Sequence, residues 1–324
     1  MSMSGLALLA LLGLVLVPAA VVGLVVLLVL LSRATPGPLP VTAVAARRHA
    51  IATMALALAV AVIAVAVGLR IAALTSGLRV GLAIGLVPAL GGLGFLAVHS
   101  IGEATWPRPA GELRRASLER RTVRDVVPPV MLRAAAAWSA SLLVALLAFG
   151  LAAADTGRAV TVTFAESSST SGPFPGWFYG LPLLGAAAVV IAGTWGVLHQ
   201  IATRPTVAQT APRWDLALRR LSAHRVLRGT QTVLGLMLVG VLLVAGSALL
   251  NAGRGTSVNG VTQTDTLAST TGTGLMVAAG IVLLTTLALA VVPGRPASLD
   301  AEVSDPGHAG HAGSAGAGVQ GIPA

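Results

Sequence analysis

Every second gap between seven long apolar stretches of this chain is crowded with arginine, while the intervening gaps are almost bare of it. The stretches run over about 5–31, 51–69, 80–101, 131–154, 177–199, 229–250 and 274–293. Each has the length of roughly 20 residues that a helix needs to cross about 30 Å of hydrocarbon. Lipid offers no partner to a backbone N–H or C=O, so such stretches are expected as helices, and the alternating pattern of a membrane barrel is missing. Only 10% of the residues are charged, against about a quarter in soluble domains. The expected fold is an all-α polytopic transmembrane bundle of about seven helices. Residues 1–296 would form the bundle and 297–324 a disordered cytoplasmic tail.

The first stretch has no basic residue before it and is longer than the 7–15-residue core of a signal peptide. It also lacks a small-residue cleavage site, so it is expected as a retained span with the N-terminus outside. Arg70 and Arg79 interrupt the apolar run from 51 to 101. An arginine at mid-bilayer costs roughly 2.5–3.5 kcal/mol, which favours a tight hairpin with both arginines near one surface. In that topology the gaps 32–50, 102–130, 200–228 and the tail from 294 are cytoplasmic. With Arg133 at the entrance of the next stretch, they hold 17 of the 21 basic residues, all of them Arg, against eight acids, for a net +9. The other side holds four against three, a net +1. This is the positive-inside bias of a multi-pass plasma-membrane protein with its C-terminus in the cytoplasm. The basic face implies topogenesis and contact with an anionic inner leaflet. Nucleic-acid binding would bring interleaved aromatics or a recognisable module, and neither is present.

The odd-numbered stretches leave the membrane through similar residues: Ala34-Thr35-Pro36, Ala104-Thr105-Trp106-Pro107, Ala202-Thr203-Arg204-Pro205 and Pro293-Gly294-Arg295-Pro296. Leu113-Arg114-Arg115-Ala116-Ser117 answers Leu218-Arg219-Arg220-Leu221-Ser222, and Gly157-Arg158 answers Gly253-Arg254. Two readings stand. Either a two-helix hairpin is duplicated in one orientation, or Pro stops helices at a boundary where Arg follows.

The two long basic gaps are expected to form short amphipathic helices. Trp214, Leu218 and Leu221 share one face, Asp215 can pair with Arg219 a turn later, and Glu112 with Arg115. Such helices lie along the headgroups or dock a cytoplasmic protein partner. The residues for that contact are Arg114, Arg115, Arg120, Arg121, Trp214, Arg219 and Arg220. On the opposite side, the Ser/Thr-rich segments around 161–171 and 262–273 are expected as short ribbons or disordered loops. Trp177-Phe178-Tyr179 reads as an interfacial aromatic anchor.

Chemistry is conspicuous by its scarcity. There is no Cys, hence no thiol catalysis, disulfide or thiolate metal site, and no Lys to form a retinal Schiff base. Every Asp and Glu falls in a gap or at a helix end, so a proton-coupled carrier built on a buried carboxylate is not indicated. His49, His99 and His199 fall at helix ends without paired-ligand spacing, and His308 and His311 lie in the tail. No enzyme activity, cofactor or metal is expected. In the third stretch Gly81, Gly85, Pro88 and Gly92 follow one helical face that His99 continues. A strip with so little side chain suits close helix packing, or a kinked helix lining a cavity.

Glu103, Thr105, Trp106, Pro107, Pro109, Gly111, Arg114, Ala116, Leu118 and Arg121 form E-x-T-W-P-x-P-x-G-x-x-R-x-A-x-L-x-x-R. This resembles a group of multi-pass membrane proteins of actinobacteria with no assigned biochemical function. The resemblance implies a plasma-membrane setting and transfers no catalytic residues. The expected function is a permease-like or accessory subunit of a small-molecule transport system. The alternative is a structural or regulatory membrane scaffold with no translocation path.

Overall fold

The computed structural model describes residues 41–106, 122–165, 167–206, 212–255, 257–258 and 261–291. The first apolar stretch, the tail, and the Arg114, Arg115, Arg120 and Arg121 contacts lie outside the described residues. The order is α1 (Val41–Leu74), α2 (Arg79–Ala104), α3 (Val123–Val126), α4 (Pro129–Ala152), β1 (Val160–Thr163), β2 (Ser168–Ser171), α5 (Trp177–Thr203), α6 (Pro212–Gly253), β3 (Ser257–Val258), β4 (Val261–Thr262) and α7 (Thr266–Val291). The fold is an all-α bundle. Among the described residues six helices are long and apolar enough to cross a membrane, and the four strands form two small antiparallel hairpins.

The helices match the second to seventh apolar stretches, but three of them begin well before the apolar limits, α7 starting at Thr266 instead of near 274. α1 begins at Val41, so Arg47, Arg48 and His49 lie within a helix, and α6 begins at Pro212 instead of near 229. The second long basic gap is therefore not a separate helix along the headgroups. It is the first four turns of α6, and its apolar face is buried inside the protein: Ala43, Ala46, Ala50, Trp106, Trp214 and Leu218 form one cluster. Burying that face against neighbouring helices removes more apolar surface from water than laying it on headgroups would.

α6 is the central element. It packs against α2, α4, α5 and α7, and contributes Leu234, Met237, Leu238 and Val241 to the main core. Chain-adjacent helices differ in how closely they approach. Arg70 and Arg79 are both exposed and flank the four-residue turn between α1 and α2, as the hairpin reading requires. A Cβ built on Gly91 would lie 2.7 Å from Val65 Cγ2, so these two helices are in close contact. α6 and α7 meet backbone to backbone: a Cβ on Gly272 would lie 2.5 Å from Leu250 N and 2.7 Å from Gly246 O. Such contacts are how helices associate where lipid removes the hydrophobic drive. α4 and α5 touch near the strand hairpins, where Gly150 faces the Trp177 ring, and diverge toward the other end.

The element order also recurs. α2 and α4 are followed by Gly157 (φ +64°) and the β1–β2 hairpin; α5 and α6 are followed by Gly255 (φ +69°) and the β3–β4 hairpin. Positive φ is available to glycine without steric cost, which suits the turn from helix into ribbon. The ribbons settle the choice left open for the first Ser/Thr-rich segment, whereas the second leaves its hairpin at Thr262 and from Thr266 onward is helical, forming the first two turns of α7 with Thr270 Oγ1 donating to Thr266 O. Val160, Val162 and Phe174 pack on Ala245, Ala248 and Ala252 of α6, and Ser167 Oγ donates to Gln263 Oε1 at 2.8 Å, joining the two hairpin regions. Of the aromatic trio only Phe178 stays exposed. Tyr179 is buried and its hydroxyl donates to Leu78 O at 3.3 Å, so it serves packing more than interfacial anchoring.

The α6–α7 contact makes a paired prediction. Gly272→Leu forces side chain into backbone and should lower stability by about 1–3 kcal/mol or more. Gly274→Leu, where a Cβ meets nothing within 4 Å, should stay within about 0.5 kcal/mol of the parent. Thermal unfolding of the purified full chain in detergent measures both; equal losses would show that the two helices do not meet as described.

Candidate functional site

The buried charges of the described residues gather at the arginine-rich end of the bundle. α5 ends at Thr203 just before Pro205, leaving its last carbonyls without intrahelical donors. Arg219, on the first turns of α6, meets that need. Its Nη1 donates to Ile201 O at 2.7 Å and Ala202 O at 3.0 Å, and its Nη2 donates to Arg204 O at 2.7 Å. Its Nε donates to Asp215 Oδ2 at 2.8 Å, the helical pair expected from the spacing. A planar guanidinium can hold all four bonds at once because its donors form a fixed fork, and its charge suits the negative end of the helix dipole. Arg219 is 1% exposed. It faces the interior, not headgroups or a partner.

A second buried pair locks α5 to α2. Arg204 Nη1 lies 3.0 Å from Glu103 Oε2, and the Arg204 guanidinium stacks 3.7 Å above the Trp106 ring. Burial lowers the Arg204 pKa from its ordinary value and the Glu103 charge opposes that shift. His49 of α1 completes the arrangement: its Nε2 lies 2.8 Å from Gly102 O, and its ring meets Trp106 edge-on at 5.4 Å. Arg225 Nη1 donates to Ala50 O at 3.3 Å, tying α6 to α1. α1, α2, α5 and α6 are thus joined by one continuous polar clasp. Its inner side retains unsatisfied capacity: His99 Nε2, Trp106 Nε1, Gln200 Oε1, and Nε and Nη2 of Arg204 have no partner among the described residues.

The sequence-predicted residues divide sharply. Trp214 and Arg219 are buried parts of the clasp region, while Arg220 is exposed beside them. On α2, Gly81 faces Tyr179 and Gly85 faces Leu183 of α5, and Gly92 faces Val233 of α6. Those glycines therefore form a packing face, and α2 runs unbroken through Pro88. His99 is 3% exposed against the Phe95 ring, so it is an internal group and not an interfacial one. Glu103, Arg204 and His49 were not anticipated as a unit. The signal available for them was the shared Ala-Thr-x-Pro exit, which places Trp106 and Arg204 at equivalent positions. The two exits also share a cap: Thr105 Oγ1 donates to Ile101 O and Thr203 Oγ1 to His199 O, each at 2.9 Å.

A different kind of feature lies deeper. Where α4 and α5 diverge, a groove of about 710 Å³ opens, floored by α6 and lined almost wholly by apolar side chains. The groove's hydroxyls are already engaged. Thr194 and Thr230 share a hydrogen bond at 2.7 Å with helix carbonyls beside them, and Ser139 Oγ donates to Ala135 O. No group of three or more metal-ligating side chains occurs among the described residues.

Fold and site together define an all-α membrane bundle clamped at one end by buried ion pairs. No known protein family, curated protein or solved structure matches this chain.

Two experiments check the clasp. Arg219→Ala leaves Asp215 without its guanidinium and three helix-end carbonyls without donors, and should cost about 3–5 kcal/mol. Arg219→Lys, a single point donor, should recover only part of that stability in the same melting assay. For the second pair, Glu103→Leu or Arg204→Leu alone should cost about 3–5 kcal/mol, while the double variant should regain most of the loss. Strictly additive losses in this cycle would mean that the pair is not coupled.

Proposed function

We propose that the chain is a permease-like or accessory membrane subunit of a small-molecule transport system, without catalytic residues of its own. In this reading it sits in the plasma membrane with the arginine-rich end in the cytoplasm, where it is the platform for a water-soluble, acidic partner. The observation that carries the reading is the clasp. Two buried arginines hold α2, α5 and α6 in one geometry, with His49 and Arg225 tying in α1, while Arg48, Arg124, Arg133 and Arg220 remain exposed around it. A surface held rigid before binding loses less conformational freedom on association, and exposed charge steers an oppositely charged partner to it. The actinobacterial resemblance around Glu103–Arg121 belongs to the same proposal.

The scaffold reading keeps the platform and drops translocation. It is favoured by the main core, whose α6 contribution from Leu234 to Leu242 is apolar and offers no ionisable path. The two readings separate on one preparation. Full-length protein isolated from its native membrane should retain a soluble partner, and the pair reconstituted in vesicles should move a solute on energisation. R48E, R124E and R220E combined should reduce partner retention at least about tenfold with an unchanged melting temperature, since each rim charge acts mainly through long-range attraction. A retained partner with no solute movement supports the scaffold; partner retention indifferent to these reversals and to salt sinks the platform itself.

A further inference from the structure

We propose that the groove between α4, α5 and α6 is a specific site for an anionic glycerophospholipid. One acyl chain would lie in the groove and the phosphate would sit against Arg124 and Arg133.

The groove has the right chemistry along its length. Leu143, Ile191, Trp195 and Leu227 line it, and the Thr194–Thr230 pair at its floor already satisfies itself. An occupant therefore needs no polar groups at depth. Volume separates the candidates. At about 710 Å³ the groove falls within the range of roughly 300–1,000 Å³ typical of small-ligand sites. A membrane-spanning helix about 10 Å across and 30 Å long occupies roughly 2,400 Å³, so a helix could lean on this groove without entering it.

The groove's arginine-rich end supplies charge. Leu132 lines the groove and Arg133 follows it, exposed, on the first turns of α4. α3 lies just beyond, packed on α5 and α6. Its Val123 and Val126 share one apolar cluster with the groove residues Leu198 and Leu227. This buried side holds α3 in place and leaves Arg124 on its exposed side. Asp125, the acid of this segment, accepts hydrogen bonds from Thr122 N and Oγ1 at 2.7 and 2.8 Å, forming the local cap. Two exposed guanidiniums at the boundary end of an apolar groove match a phosphate joined to an acyl chain, the combination that basic sites between membrane helices select. The site shares Arg124 and Arg133 with the exposed rim of the proposed platform, but the groove belongs to it alone, and its readout is lipid labelling of the purified chain with no soluble partner present.

The test uses the full chain in nanodiscs with phosphatidylglycerol or phosphatidylcholine carrying a diazirine on one acyl chain, with adducts mapped by mass spectrometry. Labelling by the anionic lipid should concentrate at Leu143, Ile191 and Trp195, and exceed labelling by the zwitterionic lipid at those positions. R124Q/R133Q should remove that preference, a change of roughly thirtyfold for two arginines near an anionic surface. Ser139→Trp should abolish groove labelling by filling it. If that variant fails to fold, the doubly neutralised variant still decides, because both of its changes are on exposed residues. Even labelling around all helices overturns the proposal. Equal labelling by both lipids removes the phosphate subsite and overturns it too. A photoreactive residue at Ser139 that cross-links to residues 5–31 of the same chain, or to a second copy, shows a helix covering the groove and overturns it as well.

Discussion

Arg219 is the group on which the arginine-rich end depends. A guanidinium this deeply enclosed is tolerable only if nearly all its donors are used, because moving an unpaired charge out of water costs several kcal/mol. Here the helix end supplies the acceptors: carbonyls of α5 that have no intrahelical donor lie where Asp215 also reaches. Two liabilities, orphan carbonyls and a buried cation, cancel each other. One consequence is positional. With Arg219 fixed, α6 must begin about four turns before its apolar stretch, and that extension carries Trp214 and Leu218 under α1. Another is that Arg204, the residue whose carbonyl Arg219 holds, is presented to Glu103 and Trp106.

This arrangement explains which parts of the protein could be read from its residues. The helical spans were legible because lipid imposes a length and forbids charge over it. Helix ends were not, since an apolar window reports the hydrocarbon thickness and says nothing of a helix that continues into a protein interior. The 212–228 segment reads as amphipathic, which is correct, but periodicity cannot say whether the apolar face meets lipid, a partner or the chain itself. The Asp215–Arg219 pair was visible because it is local. Glu103–Arg204 joins residues 101 positions apart, so no local pattern reveals it. The glycine strip of α2 was legible as a packing face or a cavity lining, and the choice between them, with its neighbours on α5 and α6, came only from the fold.

Pseudo-repetition gives the clasp a simple origin. The two Ala-Thr-x-Pro exits place Trp106 and Arg204 at equivalent points of α2 and α5, and these two residues stack directly on one another. Helices built alike and packed side by side bring equivalent positions close together. A Trp at one and an Arg at the other then forms a cation–π contact that two copies of either residue would not. The recurrence of helix, gap, helix, positive-φ glycine and hairpin along 79–171 and 177–262 supports reading these as related halves. The difference between the halves at this contact is what makes it favourable.

The same comparison accounts for the groove. Three pairs of helices are joined at the hairpin end, and loop length alone does not set their spacing. α1 and α2 have a four-residue turn, α6 and α7 have twelve residues between them, and both pairs are tight. In each of these pairs glycines face the neighbouring helix, so backbones approach closely. α4 and α5 share such a contact at Gly150 and Trp177, but farther along Gly185 and Gly196 of α5 meet no neighbour. At that depth Leu132, Leu143 and Trp195 line the opening, and α6 closes it only from below. The clasp bears on the same spacing, because it holds the end of α5 to α2 and α6. The opening therefore follows from where small residues are placed and from which helix ends are tied.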